Sequence, residues 1–389
     1  MAVCGVICEY NPFHLGHGKQ LRLIREQLGE DTVIVALMSG NYVQRGEPAI
    51  FDKMTRAKAA VLSGTNLVLE LPVTCCLRSA EGFASGGVEI FSRLGCVDYL
   101  AFGCECGSAE TLLAAAQAMN APEFDLRLRG EIATGCSYAA ARQRALASVG
   151  ADASVVEKPN DILAAEYCRA LSRLQSTMQP LAIHRAGDYH AQAAETENPS
   201  AMSVRALLQY GGDWREFVPR EAARAYETAA VHTLASGERA VLARLRGMAQ
   251  AEWEQTAHGS EGLWSKAQKQ AARCRDLETL FTAVKSKRYP RTRLQRLVMC
   301  AYLGISREML QRTPDYVRVL AFDDAGRAAL RQMKQTASFA LVNAGERPTD
   351  TAYYDLERRA ALLYDLFLTP DTAQAVCSEE EWRIFQKKT

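Results

Sequence analysis

The sequence is short of the features that most quickly betray a partner. It carries almost no net charge: 46 Lys+Arg against 45 Asp+Glu leave +1 over 389 residues. That balance excludes a chain that holds nucleic acid by bulk positive charge, though it leaves room for a local basic patch. No apolar run approaches the roughly 18 residues that span a bilayer. The opening MAVCGVICEY lacks a charged n-region and a small-residue cleavage site, so it reads as a first strand and not as a leader peptide. Aromatics make up only 8% and histidines number only 6, so a place where two histidines meet stands out.

What is present is core material. Apolar residues are 48% of the chain, enough for two domains of ordinary size. The 12 cysteines are scattered, mostly inside apolar runs, as reduced core thiols are and disulfide frameworks are not. A reducing, cytoplasmic setting is expected, with no membrane partner.

The first third alternates short apolar runs with helical patterns. Strands are expected over residues 2–8, 32–38, 66–71 and 97–102, and helices over 17–27, 52–63 and 79–94. This order argues for a parallel sheet covered by helices, with ligands beyond the carboxyl ends of its strands. Helical patterns follow over 111–146 and 160–175, then a last strand over 180–184 and a polar loop or lid over 186–199. The pair Gly211-Gly212 suggests a boundary. Beyond it the chain reads as almost wholly helical. The fold class is therefore α/β, with an N-terminal Rossmann-like parallel-sheet domain (1–212) and a mainly α-helical C-terminal domain (213–389).

The strongest signal is Glu9-Tyr10-Asn11-Pro12-Phe13-His14-Leu15-Gly16-His17, between the first strand and the first helix. Pro12 breaks the strand. Gly16, lacking a side chain, lets a ligand approach the backbone. The helix start offers unpaired N–H groups and the positive end of its dipole. His14 and His17, three apart, can share a face of the first turn and stabilise charge on a phosphate oxygen during phosphoryl or nucleotidyl transfer. Two surface histidines would be the bland alternative. A zinc site is another, but no further ligand follows at ligand spacing, and Cys104-Glu105-Cys106 is by itself a weak signal. No resident metal is expected.

Other loops fall at the same edge. Met38 to Ala49 is glycine-punctuated and carries Arg45. Gly103 would let backbone pass against a nucleotide. Asn160 reads as an N-cap, with base contact as an alternative. Arg185 ends the last strand as a natural phosphate clamp. Ser200, Ser203 and Arg205 open a helix and form a second anion cradle.

The words GVICEYNPFHLGH, MSGNYVQRGEPAIFDK, LVLELP, KPNDILAAEY and SKRYPRTRLQR together resemble the tRNA(Met) cytidine acetate ligase family, within the HIGH-type nucleotidyltransferases. The resemblance covers most of the chain. It implies that ATP lies along Ile7, Cys8, Glu9, Tyr10, Asn11, Pro12, Phe13, His14, Leu15, Gly16, His17, Gly18, Lys19 and Gln20; ATP commonly brings Mg²⁺ with it, though no carboxylate pair in the sequence is placed to hold the ion. Gly103, Asn160 and Arg185 would be further contacts, beside the Ser203 cradle, and His14 and His17 would be catalytic. It also implies acetate and elongator tRNA(Met) as partners, with acetyl-adenylate formed first and N4-acetylcytidine as product. The family usually has Asn where Asp161 stands, Ser where Cys104 stands, and a Gly-Ile pair where Ala164-Ala165 stands. Asp161 would add negative charge beside the nucleotide.

In the C-terminal half, residues 284–296 hold Lys285, Lys287, Arg288, Arg291, Arg293 and Arg296 with no acid, and Tyr289 among them. Cations displace counterions from phosphates and an aromatic stacks on an unpaired base, so this run is expected to contact tRNA. Two rival functions share parts of the pattern. One is a small-molecule adenylyltransferase using the same histidine turn. The other is a non-catalytic RNA-binding protein.

Overall fold

The computed structural model describes residues 1–106, 108–184, 199–369 and 378–388. Period-two alternation sets its layers. In β1 (Val3–Cys8) and β2 (Val33–Ser39), residues Val3, Ile7, Val33, Val35 and Leu37 enter one apolar core, while Cys4, Val6, Ile34, Ala36 and Met38 enter another on the opposite face. Strands buried on both faces lose the polar face that an exposed sheet would show.

A small hairpin, β3 (Tyr42–Val43) with β4 (Glu47–Pro48), follows β2. Then come β5 (Leu67–Leu71), β6 (Tyr99–Cys104) and β7 (Gln179–His184), all parallel to β1 and β2. Helix α1 (Leu15–Leu28) and helix α2 (Lys53–Leu62) connect the first strands. Asp52 caps α2, its Oδ1 accepting from Met54 N at 2.8 Å and Thr55 N at 2.9 Å. The region expected as one helical stretch over 111–146 is three helices, Ala109–Asn120, Pro122–Ala133 and Tyr138–Ser148.

Two expectations are corrected. The C-terminal half is not almost wholly helical, and the strand before residue 185 is not the sheet's last. β8 (Tyr316–Phe322) pairs antiparallel with β5, and β9 (Ala340–Asn343) and β10 (Phe385–Gln386) pair parallel with β8. The sheet order is β10-β8-β5-β2-β1-β6-β7, with β9 also on β8. The break at 212/213 therefore does not coincide with an edge of the sheet.

A buried charge cluster fastens this return. Lys53 Nζ lies 2.7 Å from Glu70 Oε2 and 2.6 Å from Glu379 Oε1. Arg318 donates to Glu357 Oε2 at 3.0 Å, and Tyr316 donates to the same oxygen at 2.5 Å. Burial pushes the Glu379 carboxyl up to about 7 against the pull of Lys53. Pairing of this kind offsets the cost of taking charges out of water. The helices Leu263–Ala271, Leu277–Val284, Arg291–Leu303 and Thr351–Tyr364 build a separate apolar core that Tyr42 of the hairpin also enters. No described helix is long and apolar enough to cross a membrane.

Candidate active site

The register of the sheet opens a crevice. The β1–β2 ladder runs to Cys8↔Met38 and the β6–β7 ladder to Cys104↔His184. Between β1 and β6 the pairing is Cys4↔Tyr99 and Gly5↔Leu100 only. The two central strands thus part toward their carboxyl ends. The chain also reverses direction across the sheet here: β2 and β5 lie on one side of β1, and β6 and β7 on the other. Such a switch point is where open α/β sheets bind ligands.

The turn after β1 sits at this crevice. His14 is the N-cap of α1, with extended φ and ψ of −136° and 174°. Gly16 N–H donates to His14 Nδ1 at 3.1 Å, and His14 N–H donates to His17 Nδ1 at 3.2 Å. The two histidines therefore cap the helix reciprocally, a task usually given to Ser and Glu. Their ring centroids are 3.8 Å apart. Because both Nδ1 atoms accept, the hydrogen-bond network assigns the ring proton of each neutral imidazole to Nε2. Gly16 serves this arrangement directly: a Cβ there would lie 2.9 Å from His14 Cε1.

Aromatic packing holds the turn from beneath. Tyr10, with a left-handed φ of 41°, makes edge contacts with Phe13 at 4.8 Å and His17 at 4.9 Å. Tyr10 and Phe13 are buried, so the side chains of these two expected ATP contacts are core, and their backbone is what faces the turn. Phe13 N–H donates to Tyr226 Oη at 3.0 Å. Asn11 Oδ1 accepts from Ile50 N at 2.8 Å, and the Asn11 carbonyl accepts from Arg205 at 2.7 Å. Lys19 is exposed on α1.

Arg56 is a residue that the sequence reading missed. From α2 its guanidinium reaches the Phe51 carbonyl at 2.9 Å, Glu9 at 2.6 Å, Ser39 at 3.1 Å, and the Gly40 carbonyl. It therefore gathers the ends of β1 and β2 into one rim. Its signal was the capped helix Asp52–Arg56 directly after the glycine-rich loop, which fixes direction but not targets.

The Ser200 cradle does come to the turn. Pro199 O is 3.7 Å from where a Gly16 Cβ would be. Its hydroxyls, however, serve the helix itself: Ser200 Oγ accepts from Ser203 N at 3.0 Å, and Ser203 Oγ donates to the Ser200 carbonyl at 2.8 Å. Gly103, near the end of β6, forms the crevice's other lip. Asn160 is not an N-cap. Lys158 holds that position, and Asn160 Nδ2 donates to Glu105 Oε1 at 2.7 Å. Asp161 does not present a bare charge to the crevice either. It is buried, and its Oδ1 accepts from Glu105 N at 2.6 Å and Cys106 N at 3.0 Å. Arg185 and most of the expected 186–199 loop lie outside the described residues.

The basic run is less bare than its sequence suggests. Arg291 makes a two-pronged pair with Glu278, at 2.6 and 2.5 Å. Arg293 lies 3.0 Å and Arg288 3.3 Å from Glu261, and the Tyr289 hydroxyl donates to the Glu261 carbonyl at 2.6 Å. Lys285 and Lys287 are exposed. Arg296 differs from all of them. It is buried, its Nε has no hydrogen-bond partner among the described residues, and burial lowers its pKa to about 10. It lies under the motif loop: a Cβ at Gly46, whose φ is +79°, would come within 2.5 Å of Arg296 N.

Comparison with known proteins agrees with this architecture. The HIGH Nucleotidyl Transferase family matches residues 1–379. A tRNA(Met) cytidine acetate ligase of Acetivibrio thermocellus is 35% identical, covering 88% of both chains. One from Clostridium perfringens is 32% identical and covers 95% of this chain and 96% of the relative. The crystal structure of apo Thermotoga maritima TmcAL superposes with a TM-score of 0.91 at 28% identity, and the form bound with alpha-thio ATP with 0.89, each covering the whole of both chains. A nucleotidyl-transferase sheet, a histidine turn at its switch point and this likeness along nearly its full length place the chain in the tRNA(Met) cytidine acetate ligase family of HIGH nucleotidyl transferases.

Proposed function

We propose that this enzyme activates acetate with ATP and passes the acetyl group to N4 of the wobble cytidine of elongator tRNA(Met). The observation that carries the reading is the reciprocal His14–His17 cap at the mouth of the β1–β6 crevice. The names of the relatives and the ATP analogue in the Thermotoga maritima structure support the choice of substrates.

In the first step an acetate oxygen attacks the α-phosphorus of ATP and pyrophosphate leaves. Negative charge builds on the α-phosphate oxygens, where the Nε2–H groups of His14 and His17 donate and the N-terminus of α1 adds its dipole. Ile7 to Gln20 supply the nucleotide's bed, with Gly103, Asn160, Ser203 and Arg185 around it. Mg²⁺ travels with the ATP phosphates. The turn's own acid, Glu9, already accepts Gln44 N at 2.8 Å, so its main task is to hold the loop. In the second step the cytidine N4 amine attacks the acetyl carbonyl, AMP leaves, and the nitrogen gives up a proton. Residues 1–212 do the ATP chemistry and 213–389 engage the RNA. Lys285, Lys287, Arg288 and Tyr289 offer the outer contact, Arg291 and Arg293 exchange glutamate for phosphate, and Arg296 lies deepest. A cytoplasmic location follows from the substrates.

The test is to incubate the protein with labelled acetate, ATP and tRNA and to digest the RNA. Label in N4-acetylcytidine at the wobble position, with free AMP and pyrophosphate, is expected. AMP retained in a small-molecule product would replace this reading with an adenylyltransferase.

A further inference from the structure

At the end of β6 the chain turns around a carboxylate. Cys104, Glu105 and Cys106 wrap Asp161, which sits in the first turn of the helix Pro159–Arg173. One side-chain ligand atom from each of Cys104, Cys106 and Asp161 falls within 4.8 Å of the other two. Among the described residues this is the one such convergence of three potential ligands, and it does not include His14 or His17.

Three features suit an ion. First, the distances are close to those of a bound site. Around tetrahedral zinc, with Zn–S of about 2.3 Å and Zn–O of about 2.1 Å, neighbouring ligand atoms lie roughly 3.5–3.8 Å apart, so closure needs at most about 1.3 Å of side-chain movement. Second, the carboxylate is already oriented. Its Oδ1 holds Glu105 N and Cys106 N at 2.6 and 3.0 Å, which leaves Oδ2 for an ion, in the way ligating carboxylates are commonly braced by outer partners. Third, the intervening residue is tied down independently. Glu105 takes Asn160 Nδ2 at 2.7 Å, and Lys158 Nζ is 3.9 Å away. Cys104 and Asp161 are buried while Cys106 is half-exposed, so an ion has a way in.

We propose that Cys104, Cys106 and Asp161 form a site for a thiophilic divalent cation of the zinc class. Two thiolates select against Mg²⁺ and Ca²⁺, which prefer all-oxygen sites. Binding displaces one proton from each thiol, and the ion's two positive charges leave the three-ligand site at −1. Three protein ligands leave a fourth position for water or a substrate atom. The ion fixes the end of β6 to the helix start, and so sets the lip of the crevice that carries Gly103. None of this depends on which acid or RNA the enzyme uses.

The test is a Co²⁺ titration of the full-length, chelator-treated, reduced protein. One equivalent should bind with tetrahedral ligand-field bands and a thiolate-to-cobalt charge-transfer band, and Zn²⁺ should bleach both. Cys106→Ser, which changes a half-exposed side chain, should weaken binding by at least about tenfold, the low end of what losing even an outer partner costs. Cys136→Ser should change nothing. A second readout needs no variant: bound Zn²⁺ should shield Cys104 and Cys106, and not Cys136, from alkylation mapped by mass spectrometry. Absence of the charge-transfer band in the unmodified protein, or its survival in Cys106→Ser with unchanged shielding of Cys104, would overturn the proposal.

Discussion

The histidine turn and the basic run are both short motifs, and they teach opposite lessons. At the turn, the groups proposed to carry the chemistry are neighbours in sequence. His14, Gly16 and His17 satisfy one another within four residues, so the local pattern carries nearly the whole geometry. In the basic run the defining partners are distant. Glu261, from the turn before the helix Leu263–Ala271, and Glu278, from the helix Leu277–Val284, occupy Arg288, Arg291 and Arg293. Charge counted along the chain is not charge presented to a ligand. The residue that stands apart is Arg296, which is buried and without a partnering acid among the described residues.

Substitution at the turn should have the largest effect. His17→Ala should cut acetyl-adenylate formation by about 10²–10³-fold, the usual cost of one lost transition-state donor, and leave tRNA affinity unchanged. His17→Asn offers a side-chain oxygen to accept His14 N–H but no ring donor, and should be as inactive. Recovery in His17→Asn would make the histidine a cap and nothing more.

Arg296→Met comes next. Losing a charged hydrogen-bond donor to phosphate should weaken tRNA binding about 10–100-fold. Removing a buried charge that lacks an acid should also stabilise the fold, by about 1–4 kcal/mol in thermal unfolding. A fall in melting temperature with unchanged RNA affinity would make Arg296 a structural residue.

Smaller effects separate the rest of the run. Lys285→Ala with Lys287→Ala should flatten the salt dependence of tRNA binding by about 0.7–0.9 per cation. Arg291→Ala with Arg293→Ala should flatten it less, because Glu278 and Glu261 then lose their partners too. Equal slopes would mean that those ion pairs do not persist in solution.

The smallest effect concerns pH. Burial, helped by Arg296 and Arg293, lowers the His258 pKa from 6.5 to about 4. The unfolded chain therefore binds this proton first. The contribution of neutral His258 is complete above about pH 6.5 and is lost as pH falls toward 4, by about 3 kcal/mol at the acid end. His258→Gln keeps a donor for the Leu77 carbonyl, which His258 Nε2 contacts at 2.7 Å. It should make melting temperature less sensitive to pH across that window; an unchanged slope would place the titration elsewhere.

The N-terminal strands were legible because both of their faces are apolar and glycine, proline or a capped helix follows each one. β8 was not. Its sequence YVRVLAF carries Arg318, which looks like a surface residue. It is buried at 1% exposure because Glu357 and the carbonyls of Asn343 and Glu346 meet it from elsewhere in the chain. A pattern within seven residues contains none of those partners. The same limit hid Arg56, whose targets include backbone carbonyls at the ends of β1 and β2. It also misassigned Asp161, whose charge is consumed by the loop it braces. Gly16 has a reason that its sequence neighbourhood does not spell out: its missing side chain makes room for the His14 ring.

ATP–pyrophosphate exchange, run with and without acetate on the unmodified protein and on His17→Ala, bears most directly on the proposed chemistry. Exchange that requires acetate and collapses in the variant is the expected result. No exchange with acetate, even when tRNA is added, would contradict it.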